Sequence, residues 1–140
     1  MDLRIAITDD LNSEREKLSS AIIAPFSKVG LNVGNIDEYT SGEELLRQFS
    51  AGRYDLIFLD GPKAQYLKYL PDLKRLLKIG GVLFSDDVLL YGWVNGEAPK
   101  KRHVLVEKIR EYLRVLCDDE SFWTSVLELG DGVAVSVRVS

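Results

Sequence analysis

Tyr54-Asp55-Leu56-Ile57-Phe58-Leu59-Asp60 is the segment that most restricts what this chain can fold into. It is apolar without period-two alternation, is bounded by Gly52 and Gly61, and ends in a carboxylate. A strand of that kind is buried on both faces, which places it centrally in a mostly parallel sheet with helices above and below. Leu3 to Ile7 repeats the pattern before Thr8-Asp9-Asp10, and Val82 to Asp87, introduced by Gly80-Gly81, repeats it before a second pair of carboxylates.

Helical periodicity fills the gaps between these strands. Ser13 and Glu16 have capping-box spacing ahead of Leu18, Ala21, Ile22 and Phe26, which predicts a first helix ending near Gly30, with a kink or early stop at Pro25. Leu31 to Tyr39 is a more polar strand suited to a sheet edge. Ser41 and Glu44 repeat the cap before Leu45, Leu46 and Phe49, so a second helix is expected to end near Gly52. Lys63 to Lys78 reads as helical with an interruption at Pro71, where a second short helix could open. Residues 88 to 99, with Tyr91, Gly92, Trp93, Asn95 and Gly96, form a loop long enough to fold over a site. Lys100 to Leu116 follows as a helix with Val104, Leu105, Ile109, Leu113 and Leu116 on one side. Phe122 to Leu129 and Gly132 to Val139 alternate around Gly130-Asp131, a hairpin signal.

The expected architecture is a three-layer α/β sandwich with a mostly parallel six-stranded sheet. Right-handed crossovers give strand order 2-1-3-4-6-5, with the C-terminal antiparallel hairpin closing one edge. At 140 residues the chain has room for one domain, 1–140. The formal charge of -4 argues against a nucleic-acid partner, because phosphate binding requires clustered cations. Lys100-Lys101-Arg102-His103 reads as the solvated first turn of a helix. Cys117 is the one cysteine, so no intramolecular disulfide forms; with no apolar run of spanning length, a cytoplasmic setting without a membrane or specific partner is expected.

Two resemblances overlap on the central strand. IAITDD at Ile5–Asp10, YTSGEELL at Tyr39–Leu46 and YDLIFLD make residues 1–60 resemble a response-regulator receiver domain of flavodoxin-like fold. That likeness implies Asp9 and Asp10 as Mg²⁺ ligands and Asp60 as phosphoacceptor. The receiver's later switch hydroxyl and lysine are not matched, Ser85 being at best a surrogate. Residues 54–140, through YDLIFLDGPKAQYLKYL, LLKIGGVLFSDDVLLYGWV and LGDGVAVSVR, are similar to the cation-dependent, S-adenosylmethionine (SAM)-using O-methyltransferases of Rossmann-like fold. This second resemblance implies Asp60, Asp86 and Asp87 as metal ligands and Lys63 as the group that helps deprotonate the acceptor. Asp87 stands where that family has asparagine, and the turn Thr8-Asp9-Asp10-Leu11-Asn12 lacks the family's glycine-rich cradle for the methionine part of SAM.

Taken together these likenesses predict an engineered chimera sharing strand 54–60, a scaffold rather than an enzyme, with no complete catalytic set and no required cofactor. Residual SAM-dependent O-methyltransferase or phosphoacceptor activity through Asp60 and Lys63 is the alternative, and Asp37 or Glu38 is expected to be a surface charge rather than a ribose anchor. Asp9, Asp10, Asp60, Asp86 and Asp87 are expected to converge beyond the strand ends where strand order reverses. Such a crevice suits Mg²⁺ or Ca²⁺, which take oxygen ligands.

Overall fold

The computed structural model describes residues 2–48 and 50–140. Six strands, β1 (Asp2–Thr8), β2 (Asn32–Tyr39), β3 (Tyr54–Leu59), β4 (Leu77–Asp86), β5 (Phe122–Leu127) and β6 (Val133–Arg138), form one sheet in the order β2-β1-β3-β4-β6-β5. The first four are parallel, and β6 runs antiparallel to both β4 and β5, so the expected order and closing hairpin are both present. Four helices connect them: α1 (Asn12–Lys28), α2 (Gly42–Leu46), α3 (Tyr66–Leu76) and α4 (His103–Asp118).

The unalternating apolar strands are explained by helices on both faces. On one face Ile5, Ile7 and Leu56 are buried beneath Leu18, Ile22 and Phe26 of α1. On the other, Ala6, Ile57, Leu59, Leu83 and Ala134 pack against Leu45, Leu73, Ile109 and Leu116 from α2, α3 and α4. Each fully buried Leu or Ile contributes roughly 1.5–3 kcal/mol, so the three-helix face, with many more such residues, supplies most of the apolar stabilisation.

Local details depart from expectation. Helix α1 continues three residues past Pro25 to Lys28, because α1 lies on the surface with only Arg15 buried and the lost hydrogen bond can be made good by water. Ser13 and Glu16 form no capping box. The helix begins a residue earlier, Asp9 Oδ1 accepts from the Leu11 N–H at 2.9 Å, and Glu16 accepts from the Asn12 side chain instead. Helix α3 starts after a 3₁₀ turn at Lys63–Gln65 and runs through Pro71, so no second helix opens there. In α4 the buried stripe is Val106, Ile109, Tyr112 and Leu116; Val104, expected inside, is 72% exposed. The predicted second helix is a single short segment, α2, and Phe49 lies outside the described residues.

Ser41 does cap α2, accepting from the Glu44 N–H at 3.2 Å, while the Glu44 carboxylate reaches back to the N–H and hydroxyl of Thr40. Strand β4 begins five residues earlier than Val82. Its pairing jumps from Tyr54↔Leu77 to Leu56↔Val82, and the residues between bulge out at Gly80 and Gly81. Gly80 sits at φ +86°, and a Cβ at Gly81 would lie 2.8 Å from the Lys78 carbonyl, so this bulge requires glycine.

Candidate functional site

The carboxyl ends of β1, β3 and β4 open on one side of the sheet, and the chain places an aspartate at or just beyond each. Asp60 follows β3 directly. Its backbone N–H donates to the Thr8 carbonyl at 3.1 Å, and the buried Thr8 hydroxyl is shared between the carbonyls of Phe58 and Asp60 at 3.4 and 3.3 Å. Asp86 ends β4, and its Oδ1 accepts from the Asp87 N–H at 2.9 Å. Asp87 adopts φ 55°, a left-handed conformation that Asp and Asn tolerate better than most side chains. One carboxylate oxygen from each of Asp60, Asp86 and Asp87 lies within 4.8 Å of the others.

Burial, then the neighbouring charges, hold the carboxyls of Asp86 and Asp87 above the ordinary carboxylate range. Lys63 is the compensating cation. Its Nζ lies 2.6 Å from Asp60 Oδ1 and 3.7 Å from Asp87 Oδ2, and it donates to the Tyr66 hydroxyl at 2.8 Å. The fully buried Tyr66 is in turn 3.3 Å from the Leu59 carbonyl and 3.1 Å from that of Asp86. Burial, then the surrounding carboxylates, push its phenol far above the usual tyrosine range, so it stays neutral. Its ring meets Tyr112 edge-on at 5.4 Å, and the Tyr112 hydroxyl is 2.6 Å from Ser85 Oγ.

Asp9 joins from the β1 side. Burial and the proximity of Asp60 raise its carboxyl, against the lowering effect of the Leu11 N–H. Asp10 is exposed beside it. Asp60, Asp86 and Asp87 form the tight group, and Asp9, with Asp10 exposed beside it, adjoins that group at Asp60. A cleft of about 420 Å³ is lined by Asp9, Asp10, Asp60 and Asp86 together with Ile7, Leu11, Leu18 and Phe58, with Lys17 as its cationic residue. A larger hollow of about 540 Å³ lies against α4, but its polar groups are committed elsewhere. There His103 is 2.7 Å from the Ala98 carbonyl, and Arg110 donates to the carbonyls of Trp93, Val94 and Gly96.

The two acids at the end of β2 are engaged too. Asp37 accepts from the Tyr54 hydroxyl at 2.6 Å, and Glu38 pairs with Arg15 at 3.6 Å. Arg15 also donates to the Asp9 carbonyl at 2.6 Å, fixing the turn after β1. Sequence reasoning passed over Arg15, Tyr66 and Tyr112. Only the i, i+3 spacing of Lys63 and Tyr66 could have signalled one of them.

The loop after β4 is held in one conformation. Leu90 and Tyr91 both have positive φ, the N–H groups of Val88 and Leu89 donate to the Gly132 and Asp131 carbonyls, and the Asp131 side chain accepts from Tyr91 N–H. A Cβ on Gly132 would come within 2.3 Å of Leu89, so the hairpin turn and the loop interlock only with glycine there.

A doubly wound sheet with acidic strand ends at its switch point defines a nucleotide-type α/β protein whose crevice suits a hard cation. The O-methyltransferase family matches residues 2–139, and the chain belongs to it. The Populus kitakamiensis caffeoyl-CoA O-methyltransferase is 31% identical over 100 residues, covering 69% of this chain and 43% of that protein. Caffeoyl-CoA O-methyltransferase 1 of Arabidopsis thaliana is 30% identical, covering 94% of this chain and 53% of that protein. The chain thus spans about half the length of these relatives. Among solved structures, the Streptomyces achromogenes O-methyltransferase TomG in complex with SAM superposes with TM-score 0.67 at 13% identity, covering 98% of this chain and 73% of that one. The S-adenosylhomocysteine (SAH)-bound methyltransferase of Podospora anserina gives TM-score 0.67 at 19% identity, covering 96% and 71%.

These matches correct the reading of a chimera. The family match begins at residue 2 and runs through the segment that resembled a receiver, and the structural neighbours cover nearly the whole chain, so no receiver portion remains to be explained. The IAITDD and YDLIFLD segments misled because both families place an aspartate after a buried parallel strand, and that much of a sequence is common to both. With the chimera go the engineered scaffold, the phosphoacceptor and the absence of enzymatic character, since the family is one of enzymes.

Proposed function

We propose that this chain carries the catalytic face of a divalent-cation-dependent O-methyltransferase. The observation that supports it is the grouping of Asp60, Asp86 and Asp87 within 4.8 Å, with Lys63 against Asp60. The donor set is all oxygen and strongly anionic, which fits Mg²⁺, Mn²⁺ or Ca²⁺. Such a cation, when bound, orients an acceptor hydroxyl and favours its deprotonated form. Lys63, the cation beside Asp60, is placed to assist that deprotonation by stabilising the oxyanion, the proton leaving to water. The oxygen then takes the methyl group as the carbon–sulfur bond of the donor breaks, with its electron pair leaving on sulfur.

The cleft beside the triad fits SAM in charge. Asp9, Asp10 and Asp60 line it with carboxylates suited to a positive sulfonium, Ile7 and Phe58 supply apolar wall, and Lys17, paired with Glu14 at 3.1 Å, is the lining cation that an α-carboxylate would have to draw from that pair. Arg15 fixes the turn after β1 through the Asp9 carbonyl at 2.6 Å.

The test is transfer of labelled methyl from SAM to caffeoyl-CoA, the acceptor named for the relatives, with Mg²⁺ present. Transfer that is abolished by a chelator and reduced at least ~100-fold in Asp60→Asn supports the reading, since loss of a catalytic cation removes several kcal/mol of transition-state stabilisation. Chelator-insensitive transfer, or no binding of labelled SAM at equilibrium, refutes it.

A further inference from the structure

The cation triad and Lys63 present a conflict. An ammonium 2.6 Å from Asp60 and 3.7 Å from Asp87 stands at the edge of the space a divalent ion would take. Drawn only by carboxylates, it would settle among them, where like charge would oppose the ion. Among the described residues, the neutral acceptor that holds it to the side is the Tyr66 hydroxyl, at 2.8 Å. That hydroxyl cannot itself shift. It is fully buried, lies 3.3 Å from the Leu59 carbonyl and 3.1 Å from the Asp86 carbonyl, and so ties the ends of β3 and β4 together. The ring behind it is wedged edge-on against Tyr112, whose own hydroxyl is tied to Ser85. The Lys63 Nζ also lies 4.9 Å from the Tyr66 ring centroid, within cation–π range.

We propose that Tyr66 is the positioning residue of this site: its anchored hydroxyl holds the Lys63 amine beside Asp60 and out of the Asp60–Asp86–Asp87 triad, so that amine and cation occupy the site together. This rests on the reading of the triad as a cation site. Tyr66 touches neither donor nor acceptor in this role and acts through Lys63. Removing the hydroxyl alone, as in Tyr66→Phe, leaves the ring, the cation–π contact and the edge contact with Tyr112 in place. It frees the ammonium to move toward the remaining carboxylates.

The experiment is Mn²⁺ titration of the protein without donor or acceptor, comparing wild type, Tyr66→Phe, Lys63→Met and the double variant, with melting temperature measured in parallel. A net hydrogen bond to a charged group corresponds to about a tenfold change in an equilibrium, so Tyr66→Phe is expected to weaken Mn²⁺ binding about five- to tenfold. Lys63→Met, which removes the competing charge, is expected to bind at least as tightly as wild type. The double variant should match Lys63→Met within twofold, because the tyrosine acts only through the lysine. In methyl transfer, Tyr66→Phe should lower kcat at saturating Mn²⁺ while leaving the KM for SAM unchanged.

Wild-type Mn²⁺ binding with an unaltered Tyr66→Phe, or a loss in Tyr66→Phe that persists in the Lys63→Met background, overturns the role of Tyr66 and leaves the cation reading standing. Absence of Mn²⁺ binding in wild type overturns both. Should Tyr66→Phe not fold, Lys63→Met decides alone: weaker binding than wild type means the amine assists the ion rather than competing with it, and the inference falls.

Discussion

At the scale of single residues, the polar groups buried in this sheet are kept by specific partners, and Asp37 shows the energetic consequence. The Tyr39 hydroxyl lies 2.6 Å from that of Tyr54, which donates to Asp37 Oδ2, while Asn35 donates to Oδ1 at 2.7 Å and Arg53 approaches at 3.5 Å. Burial would raise the carboxyl, but the hydrogen bonds from Tyr54 and Asn35 and the Arg53 charge outweigh it, and the group is held below the ordinary range. A carboxyl depressed in the folded state contributes stability above its unfolded value of about 3.8 and loses it as pH falls through the folded value. Asp37→Asn is therefore expected to cost about 1–2 kcal/mol at pH 7, the worth of a hydrogen bond to a charged group, and progressively less below pH 4. Urea unfolding at pH 7 and pH 3 measures it; an equal cost at both values would mean that the charge contributes nothing.

At the scale of elements, what the sequence could reveal was set by burial. Strand β3 was readable because helices cover both of its faces, and every position but Asp55 is apolar for the same reason. The Ser41 cap was readable because its bonds are local, spanning three residues. Helix α1 was misjudged because the competing interactions come from outside the helix: the Asp9 side chain takes the Leu11 N–H, and Arg15 reaches back to the Asp9 carbonyl. In α4 the i, i+3, i+7 spacing of Ile109, Tyr112 and Leu116 is that of the buried stripe, and Tyr112 was passed over because its hydroxyl needs a partner inside, which Ser85 supplies at 2.6 Å. Packing between elements also fixes residue identity where no pattern signals it. Gly42 opens α2 directly against α3, and a Cβ there would lie 2.4 Å from Tyr69 Cε2. Tyr69 is buried and cannot retreat without opening the α3 contact, so Gly42→Ala is expected to destabilise by about 1–3 kcal/mol despite the better helix propensity of alanine. Thermal unfolding checks this, and an increase in melting temperature would show that α2 can move off α3.

At the scale of the whole molecule, three strand ends bring like charges into one crevice, and the fold bears the resulting repulsion for the sake of the site. All five aspartates were identifiable from the sequence as carboxylates at the ends of apolar strands, and Asp60, Asp86 and Asp87 as a ligand set only through the methyltransferase resemblance. That these three form the tight triad while Asp9 adjoins it at Asp60 was not legible, because it depends on how far each strand extends past its neighbour. Burial first, and neighbouring carboxylates after it, raise the carboxyls of Asp9, Asp86 and Asp87. For carboxyls raised in the folded state the sign is opposite to that of Asp37: their contribution is most favourable below the unfolded value of about 3.8 and is lost as pH rises through the folded values. On the proposed reading, a divalent cation bound to the ionised folded form would offset this loss. The melting temperature is accordingly expected to rise with Mg²⁺ or Ca²⁺ at pH 7.5, by an amount that grows with the logarithm of concentration above Kd and corresponds to about 2.7 kcal/mol at a hundredfold excess over Kd. At pH 4, where protons compete for the same oxygens, the rise should shrink toward zero. Differential scanning fluorimetry across pH and cation concentration, with Asp86→Asn as control, tests it. A shift that is equal at both pH values, or that survives in Asp86→Asn, would place the cation elsewhere on the protein, because only ligands that titrate in this window can couple proton and metal binding in this direction.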